Sequence, residues 1–409
     1  MKDIFPNYKV VTDYFFSNFK LAYNCNESID KCFVKNENYS KNDFDNIFTI
    51  EPIYFEWKNY KFPVFIHQNE TSILNENGQI SFDIFLNVFL FLSGWQEKIC
   101  KDRDAHGRFP HKESLQFKHG FTETPLVNIY FELLYETALK NKLPIERKEF
   151  NKDIIFTHDI DQLRSGWFEN IQSAKQAFSL NSFWKIFFNL FSKIIGLKDD
   201  YLKGMERMLA IDKENEIEAI SFFIPVKSHR DADFEISESK FLKILKKAKK
   251  TQEIGIHPGY DTYQNEEQYA KQLNLLETLS KEKITKSRQH FLRYEIEHTP
   301  FIQDKLNIQE DYTLGFAEQF GFRNGIANPF FLFNFKTNKA FAVKQFPLVF
   351  MDVSLTNYHL EKDFDKVLLF FQQIKTDFNC HFSVLFHNSV FSNGKYGGFE
   401  EFYKQVIVL

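Results

Sequence analysis

The sequence has few cysteines, little net charge and no long uninterrupted hydrophobic run. Cys25, Cys32, Cys100 and Cys380 are scattered and form no CxxC pair, so neither a zinc knuckle nor a disulfide framework is expected. The formal net charge of −4 gives no reason to expect a nucleic-acid partner. Polar residues interrupt the first apolar stretch, so we expect neither a signal peptide nor a membrane-spanning helix. A cytoplasmic location is the resulting expectation.

The sequence is long and rich in phenylalanine. The 409 residues include 51 phenylalanines, so we expect aromatic side chains to dominate the hydrophobic cores. This length exceeds what one ordinary domain needs. The polar stretch NKLPIERKEFNKD (141–153) marks the expected boundary. The sequence therefore predicts a smaller α+β domain at 1–150 and a second domain at 151–409.

From residue 153 onward, short apolar stretches alternate with helical or irregular ones. The stretches with the composition of strands are 153–161, 218–226, 252–260, 283–292, 311–316, 346–355 and 381–390. Apolar residues at helical spacing lie between several of them, at 237–250, 265–281 and 363–377. This alternation predicts a parallel α/β architecture, and the available length fits a closed or nearly closed barrel.

Residues with acid–base or metal-binding chemistry follow several of these predicted strands. They are Asp159, Asp161, His257, His290, Asp352 and His387. In α/β barrels the carboxyl ends of all strands meet on one face, so these residues would converge there. One polar residue at a strand end is usually only solvent-exposed. Five strands that end in this way favour a shared functional site.

Each candidate residue also has a structural interpretation. Asp159 and Asp161 could cap the helix that follows them, because acidic residues are favoured at helix N-termini. His257 could only shape the turn that Pro258 and Gly259 begin. Structural hydrogen bonds, turns or ion pairs are the alternatives for the remaining candidates, which are Asp261, Arg288, His290, Arg323, Asp352 and His387.

A set of short motifs occurs in a recognisable order along the second half of the chain. The motifs are THDID (157–161), ISFFIP (220–225), EIGIH (253–257), SRQHFL (287–292) and LFHN (385–388). Together they resemble the motifs of the polysaccharide deacetylases, the NodB-like carbohydrate esterases. The pattern is similar to a bacterial subfamily that places an uncharacterised domain before the deacetylase-like one. THDID departs from the usual Thr-Phe-Asp-Asp by the insertion of Ile160.

The resemblance implies a distorted (β/α)7 barrel with a divalent metal, usually zinc, at its carboxyl face. It implies Asp159 as the general base and His387 as the general acid, with Arg288 or Arg323 orienting the base. The family hydrolyses N- or O-acetyl groups on glycans. An acetylated carbohydrate is therefore the implied substrate.

The implied metal ligands are Asp161 and His257, and the third ligand is open. The family's second motif usually supplies two histidines four residues apart, whereas this chain has Asp261 four residues after His257. Asp261 or His290 is therefore the expected third ligand. A catalytic zinc takes about three protein ligands and keeps one open position. Oxygen ligands would also suit a harder metal such as manganese.

The leading functional hypothesis is a metal-dependent hydrolase that deacetylates a glycan in polysaccharide metabolism. A degenerate barrel that binds a glycan or a partner without turnover is one alternative. The absence of the second motif's second histidine favours it, and the retention of Asp159 and His387 argues against it. An amidohydrolase that cleaves a C–N bond in a small molecule is the other alternative. Specificity lies in loops, where the sequence carries no readable code.

One aromatic segment, AFSLNSFWKIFFNLFSKIIGLK (177–198), is amphipathic at helical spacing. Its lysines exclude a membrane span. It could lie on a membrane surface, which would place the protein at the inner face of the membrane, or it could pack against the rest of the chain. RDAHGRF (103–109) reads as a charged loop. The sequence gives no indication of the oligomeric state.

Overall fold

The computed structural model describes residues 5–163, 200–357, 363–392 and 398–409. The chain divides into two compact units, each built from several segments. The segments of the first unit are Met1–Ile154, Phe291–Phe350 and Gln373–Ser383. The segments of the second unit are Ile155–His290, Met351–Gln372 and Val384–Leu409. The second half of the chain therefore contributes to both units.

The elements are numbered in chain order along the described residues. The helices are α1 (Tyr8–Ala22), α2 (Lys41–Asp45), α3 (Ile84–Leu92), α4 (Trp95–Ile99), α5 (Leu115–Lys118), α6 (Leu126–Lys140), α7 (Asp200–Glu214), α8 (Ser239–Ala248), α9 (Glu266–Ser280), α10 (Thr299–Lys305), α11 (Asp352–Asn357), α12 (Phe364–Asp377) and α13 (Phe399–Ile407). The strands are β1 (Tyr23–Cys25), β2 (Ile53–Trp57), β3 (Tyr60–Val64), β4 (Ile145–Arg147), β5 (Ile154–Ile160), β6 (Ile220–Phe223), β7 (Glu253–Ile256), β8 (Lys286–Ser287), β9 (Glu310–Asp311), β10 (Phe330–Asn334), β11 (Lys339–Gln345), β12 (Leu348–Met351) and β13 (Phe382–Leu385).

Aromatic rings fill the core of the first unit. Phe15 and Phe19 on α1 both contact Phe131 on α6 in edge-to-face geometry, and the Phe19 and Phe131 ring centroids are 4.9 Å apart. Such pairs stabilise a fold by about 0.5–1.5 kcal/mol beyond the area they bury. The wholly buried helix α3 begins at Asp83, whose carboxylate accepts a hydrogen bond from the amide of Leu86. That cap satisfies an amide that the helix itself leaves unpaired.

Parallel strands form the central part of the second unit. Strand β5 pairs with β6, β6 with β7, and β7 with β8. Thr157 lies opposite Ile220 in the first pairing, and Ile220 lies opposite Glu253 in the second. These strands are buried along most of their length, as is typical of parallel strands covered on both faces. Their carboxyl ends lie at one edge, which brings the residues that follow them together.

The α/β class predicted from the sequence is confirmed. Six of the seven predicted strand stretches contain an observed strand, and the remaining one, 311–316, overlaps β9 only at Asp311. In the first unit, strands β9, β10 and β11 form one sheet, in which β9 pairs parallel with β11. The sheet is mixed, because β10 pairs antiparallel with β11. The sequence analysis did not predict this hairpin. The count of seven βα repeats stays a prediction.

Two other predicted segments have different outcomes. The aromatic segment 177–198 lies outside the described residues, so its membrane contact stays a prediction. Across the described ranges, every helix is too short or too polar to span a membrane. The stretch 103–109 is a loop, as predicted. Its Arg108 side chain donates to Asp104 at 2.7 Å and to the carbonyl of Phe291 at 3.1 Å, all within the first unit.

Candidate metal and catalytic site

Strand β5 delivers polar side chains to two opposite faces. Side chains alternate along a strand, so Thr157, Asp159 and Asp161 share one side and His158 lies on the other. The contacts follow this division. Thr157 and Asp159 both accept hydrogen bonds from Arg288, whereas His158 bonds to the carbonyl of Phe386 and to Asp212. The inserted Ile160 is what keeps the two carboxylates on the same side.

Asp161, His257 and His290 form a group that could hold a metal ion. One ligand atom from each residue lies within 4.8 Å of the other two. His257 directly follows β7, and His290 comes shortly after β8, so the parallel pairing of these strands aligns them with the end of β5. Two imidazoles and one carboxylate are a donor set that zinc takes in catalytic sites.

Hydrogen bonds to the two imidazoles leave their metal-binding nitrogens available. The Nδ1 of His257 lies 2.5 Å from the carbonyl oxygen of Arg288, and the Nδ1 of His290 lies 3.1 Å from Oδ1 of Asp231. Each acceptor requires an Nδ1–H donor, so Nε2 is the nitrogen left for a metal. The Oδ1 atom of Asp161 is buried, and among the described residues it has no hydrogen-bond partner. This orphaned oxygen and the two aligned nitrogens fit a divalent metal.

Burial and neighbouring charges shift the pKa values of the three ligand candidates. Burial lowers the pKa of His257 and so favours the neutral ring that binds metals. Burial also acts to lower the pKa of His290, but hydrogen bonds to Asp161 and Asp231 outweigh it and raise that pKa. Burial acts to raise the pKa of Asp161, yet the nearby histidines, led by His387, lower it. Asp161 is thereby kept as a carboxylate.

Asp159 lies beside this group in a buried ion pair. The Nη1 of Arg288 donates to Oδ1 of Asp159 at 3.0 Å and to the Thr157 hydroxyl at 2.8 Å. The other carboxylate oxygen of Asp159 is 3.4 Å from Nε2 of His257. The carboxylate is thus oriented on one side by an arginine and faces a metal-ligand candidate on the other.

His387 is held on a second carboxylate that directly follows β12. Asp352 accepts from the Nδ1–H of His387 at 2.7 Å and, through its other oxygen, from the His387 backbone amide at 2.7 Å. The Nε2 of His387 lies 3.9 Å from Oδ2 of Asp161. Burial acts to lower the pKa of His387, but the charges of Asp352 and Asp161 raise it to about 10. An imidazolium therefore faces the ligand group through Nε2.

Two candidate residues lie elsewhere. Asp261 is exposed and is not a member of the three-residue ligand group, whereas His290, the other candidate for third ligand, is. Arg323 belongs to the first unit, where its guanidinium donates to both carboxylate oxygens of Glu97 at 2.8 and 2.7 Å. Of the two candidate arginines, Arg288 is therefore the one that contacts Asp159.

Asp231, which binds the ring of His290, is not among the residues predicted from the sequence. Asp231 also accepts from the amide of Tyr260 at 2.6 Å. Gly259 permits this approach, because a Cβ at that position would lie 2.9 Å from both carboxylate oxygens of Asp231. Asp231 lies in the loop after β6 rather than at a strand end, and its sequence neighbourhood gives no signal of the role.

The opposite face of β5 carries a buried polar network. The Nε2 of His158 lies 3.1 Å from Oδ2 of Asp212, which also accepts from Gln252, while Oδ1 accepts from the Tyr403 hydroxyl. The Nδ1 of His158 bonds to the carbonyl of Phe386 at 2.9 Å. This network therefore ties β5 to the residue that precedes His387.

Comparison with known proteins gives a family for the N-terminal part of the chain and distant structural similarities. Residues 3–144 match a family of unknown function, DUF7033. No curated protein matches the chain. The crystal structure of a protein provisionally described as a polysaccharide deacetylase from Mycobacterium smegmatis aligns with a TM-score of 0.41 and 14% identity, covering 64% of this chain and 87% of that chain.

A pseudoenzyme of the CE4 family from Bacillus anthracis aligns with a TM-score of 0.32 and 12% identity, covering 63% of this chain and 61% of that chain. A mutant of that pseudoenzyme with restored enzymatic activity aligns with a TM-score of 0.32 and 13% identity, covering 68% and 80%. These TM-scores and sequence identities are too low to assign a role to any residue of this chain. The roles below depend on the site itself.

Proposed function

We propose that this protein is a metal-dependent hydrolase, with zinc as the metal, that removes acetyl groups from an acetylated carbohydrate. The observation that carries the proposal is the grouping of Asp161, His257 and His290 with Asp159 and His387 beside them. This set combines a ligand group with a base and an acid, and metal-assisted hydrolysis requires all three.

Each side chain has a definite task in this proposal. Asp161, His257 and His290 would hold the zinc ion, which when bound would polarise the acetyl carbonyl and lower the pKa of a water molecule. Asp159 accepts the proton of the attacking water, and its bond to Arg288 fixes the direction of the carboxylate. His387 donates a proton from Nε2 to the departing nitrogen or oxygen, while Asp352 holds Nδ1–H.

The carbohydrate substrate is proposed from the motif resemblance, which is an argument by analogy. The geometry alone would serve the hydrolysis of a small-molecule amide equally well. A binding module without turnover would have no use for the oriented pair of His387 and Asp352, so catalysis is favoured over binding alone.

The test is acetate release by the purified, zinc-loaded chain from a panel of N- and O-acetylated oligosaccharides. We expect release that a chelator abolishes and that added zinc restores. Asp159→Asn should lower the rate by about 10²–10⁴-fold, the usual contribution of a general base. Asp261→Asn, which changes an exposed carboxylate outside the ligand group, is the matched control and should retain full activity.

Two outcomes would overturn this proposal. Acetate release at an unchanged rate in Asp159→Asn would refute the base. A zinc-loaded chain that releases no acetate from any glycan, but hydrolyses amides or ureides, would instead establish the amidohydrolase alternative.

A further inference from the structure

The loop that follows β6 is fixed against the ligand group. Its residue Asp231 accepts from the amide of Tyr260 and from the Ser228 hydroxyl and binds the Nδ1 of His290. These bonds connect the loop to the turn after His257 and to the third ligand candidate. The backbone at Asp231 is therefore held beside the ligand group, and the residue that precedes it is adjacent to this anchor.

That preceding residue is Arg230, and its guanidinium lies over an aromatic ring. The guanidinium carbon is 4.8 Å from the centroid of the Tyr260 ring. Arg230 is exposed, whereas Tyr260 is only 7% exposed. Within the described parts of the chain, no carboxylate pairs with this guanidinium, and its backbone amide bonds to the Ser228 hydroxyl at 3.1 Å. The charge is therefore positioned by a ring and stays open to solvent.

This arrangement suits recognition of an anion. An arginine that lies over a ring leaves N–H donors at the edge of its planar guanidinium, where they match the two oxygens of a carboxylate or phosphate. Stacking also reduces the side-chain freedom that binding would otherwise have to remove. The loop itself does not depend on the Arg230–Tyr260 contact, because the bonds of Asp231 to the Tyr260 amide and to His290 already hold it.

We propose that Arg230 binds an anionic group, a carboxylate or a phosphate, on the substrate of the metal site. This inference rests on the proposed function, which it narrows from acetylated carbohydrates in general to those that carry negative charge. Arg230 is then a specificity-determining residue, with Tyr260 as its support.

The experiment compares the binding of three oligosaccharides by titration calorimetry. The probes are a neutral N-acetylglucosamine oligomer, an oligomer that alternates N-acetylglucosamine with glucuronate, and an N-acetylglucosamine oligomer that carries phosphate. The protein is the zinc-loaded full chain with Asp159→Asn, which slows turnover during the measurement. Arg230→Gln is compared with Lys227→Gln, because Lys227 is another exposed cation of the same loop.

We expect at least one anionic oligomer to bind about tenfold tighter than the neutral one, as one charge-assisted contact at a partly exposed site allows. Arg230→Gln should remove this preference without changing affinity for the neutral oligomer, and Lys227→Gln should retain it. The anionic oligomer that binds more tightly than the neutral one shows whether Arg230 recognises a carboxylate or a phosphate. Equal affinities, no binding of either anionic oligomer, or an equal loss in Lys227→Gln would each overturn the inference.

Failure of this inference is distinguishable from failure of the proposed function. Equal acetate release by the wild-type chain from neutral and anionic oligomers would retain the hydrolase and remove the role of Arg230. A preference that depends on Arg230 in a chain without acetate release would retain the anion site and remove the hydrolase.

Discussion

Each unit of this protein contains a buried arginine–carboxylate pair, and the two pairs have different surroundings. In the first unit Arg323 donates to both oxygens of Glu97 and to the carbonyl of Gly315. In the second unit Arg288 donates to one oxygen of Asp159, whose other oxygen faces His257. The carboxylate of Glu97 is satisfied by its partner, whereas that of Asp159 is shared with a metal-ligand candidate.

The difference shows that burial of an ion pair does not by itself mark a functional site. A carboxylate whose two oxygens are both bonded by its own arginine, as in Glu97, has no oxygen left for chemistry, and we interpret that pair as structural. A carboxylate with one oxygen directed at a neighbouring histidine, as in Asp159, keeps an oxygen atom that can accept a proton. The first two of four predictions test this distinction directly, and the other two extend it to smaller expected effects.

The first prediction concerns the pair of the first unit. Arg323→Met should lower the free energy of unfolding by about 3–5 kcal/mol, because Glu97 is left buried without its partner. Denaturant unfolding of the purified chain measures this loss. Arg207→Met, which removes a partly exposed partner of Glu400, should cost less than about 1 kcal/mol. Equal losses in the two variants would remove the structural role of the Arg323 pair.

The second prediction applies the same substitution to the pair of the second unit. Arg288→Met should lower the rate of acetate release by about 10²-fold, because a misdirected base loses its near-attack geometry. Zinc content should not change, since the contact of Arg288 with His257 is made by its backbone carbonyl. Rates equal to those of wild type in the folded variant would contradict the orienting role.

The third prediction concerns the carboxylate behind a ligand. Asp231→Asn should weaken zinc affinity about 10–100-fold, the usual effect of losing the carboxylate that orients a ligating histidine. Competition with a chromophoric chelator measures the affinity. Asp261→Asn is the control on the exposed side of the same region and should leave it unchanged. Unaltered affinity in Asp231→Asn would mean that His290 needs no such support.

The fourth prediction extends the comparison to a histidine of the first unit. Burial lowers the pKa of His111 from 6.5 to about 4, and its Nε2 contacts the Thr122 hydroxyl. The folded protein therefore keeps the ring neutral, whereas the unfolded chain takes up a proton as the pH falls from 6.5 toward 4. The free energy of unfolding decreases over that range. Over that range His111→Gln should lose about 1 kcal/mol less stability than wild type, after discounting for partial exposure. Parallel acid-unfolding profiles would contradict this.

Much of the site could be predicted because strand periodicity is local. The alternation of THDID predicts that Asp159 and Asp161 share a side, and both carboxylates do contact histidines that follow β7 and β8. The parallel strands predict convergence of the residues at their ends. The buried contact of His387 with Asp352 joins the ends of two more predicted strands.

The rest depends on contacts between distant segments, which one sequence does not encode in any local pattern. The structure groups His290, and not Asp261, with the other ligand candidates, because Asp261 remains exposed in the turn after His257. The choice between Arg288 and Arg323 is decided by their partners, Asp159 and Glu97. Asp231 is 59 positions from the His290 ring that it binds, and nothing at its own position marks that contact.

The most direct test of the central claim is the zinc content of the purified full chain and two variants, measured by mass spectrometry after dialysis against the metal. The account predicts one zinc ion per wild-type chain, its loss in His290→Asn and its retention in Asp261→Asn. A wild-type chain that binds no zinc, or zinc that is lost in Asp261→Asn and kept in His290→Asn, would contradict the site described above.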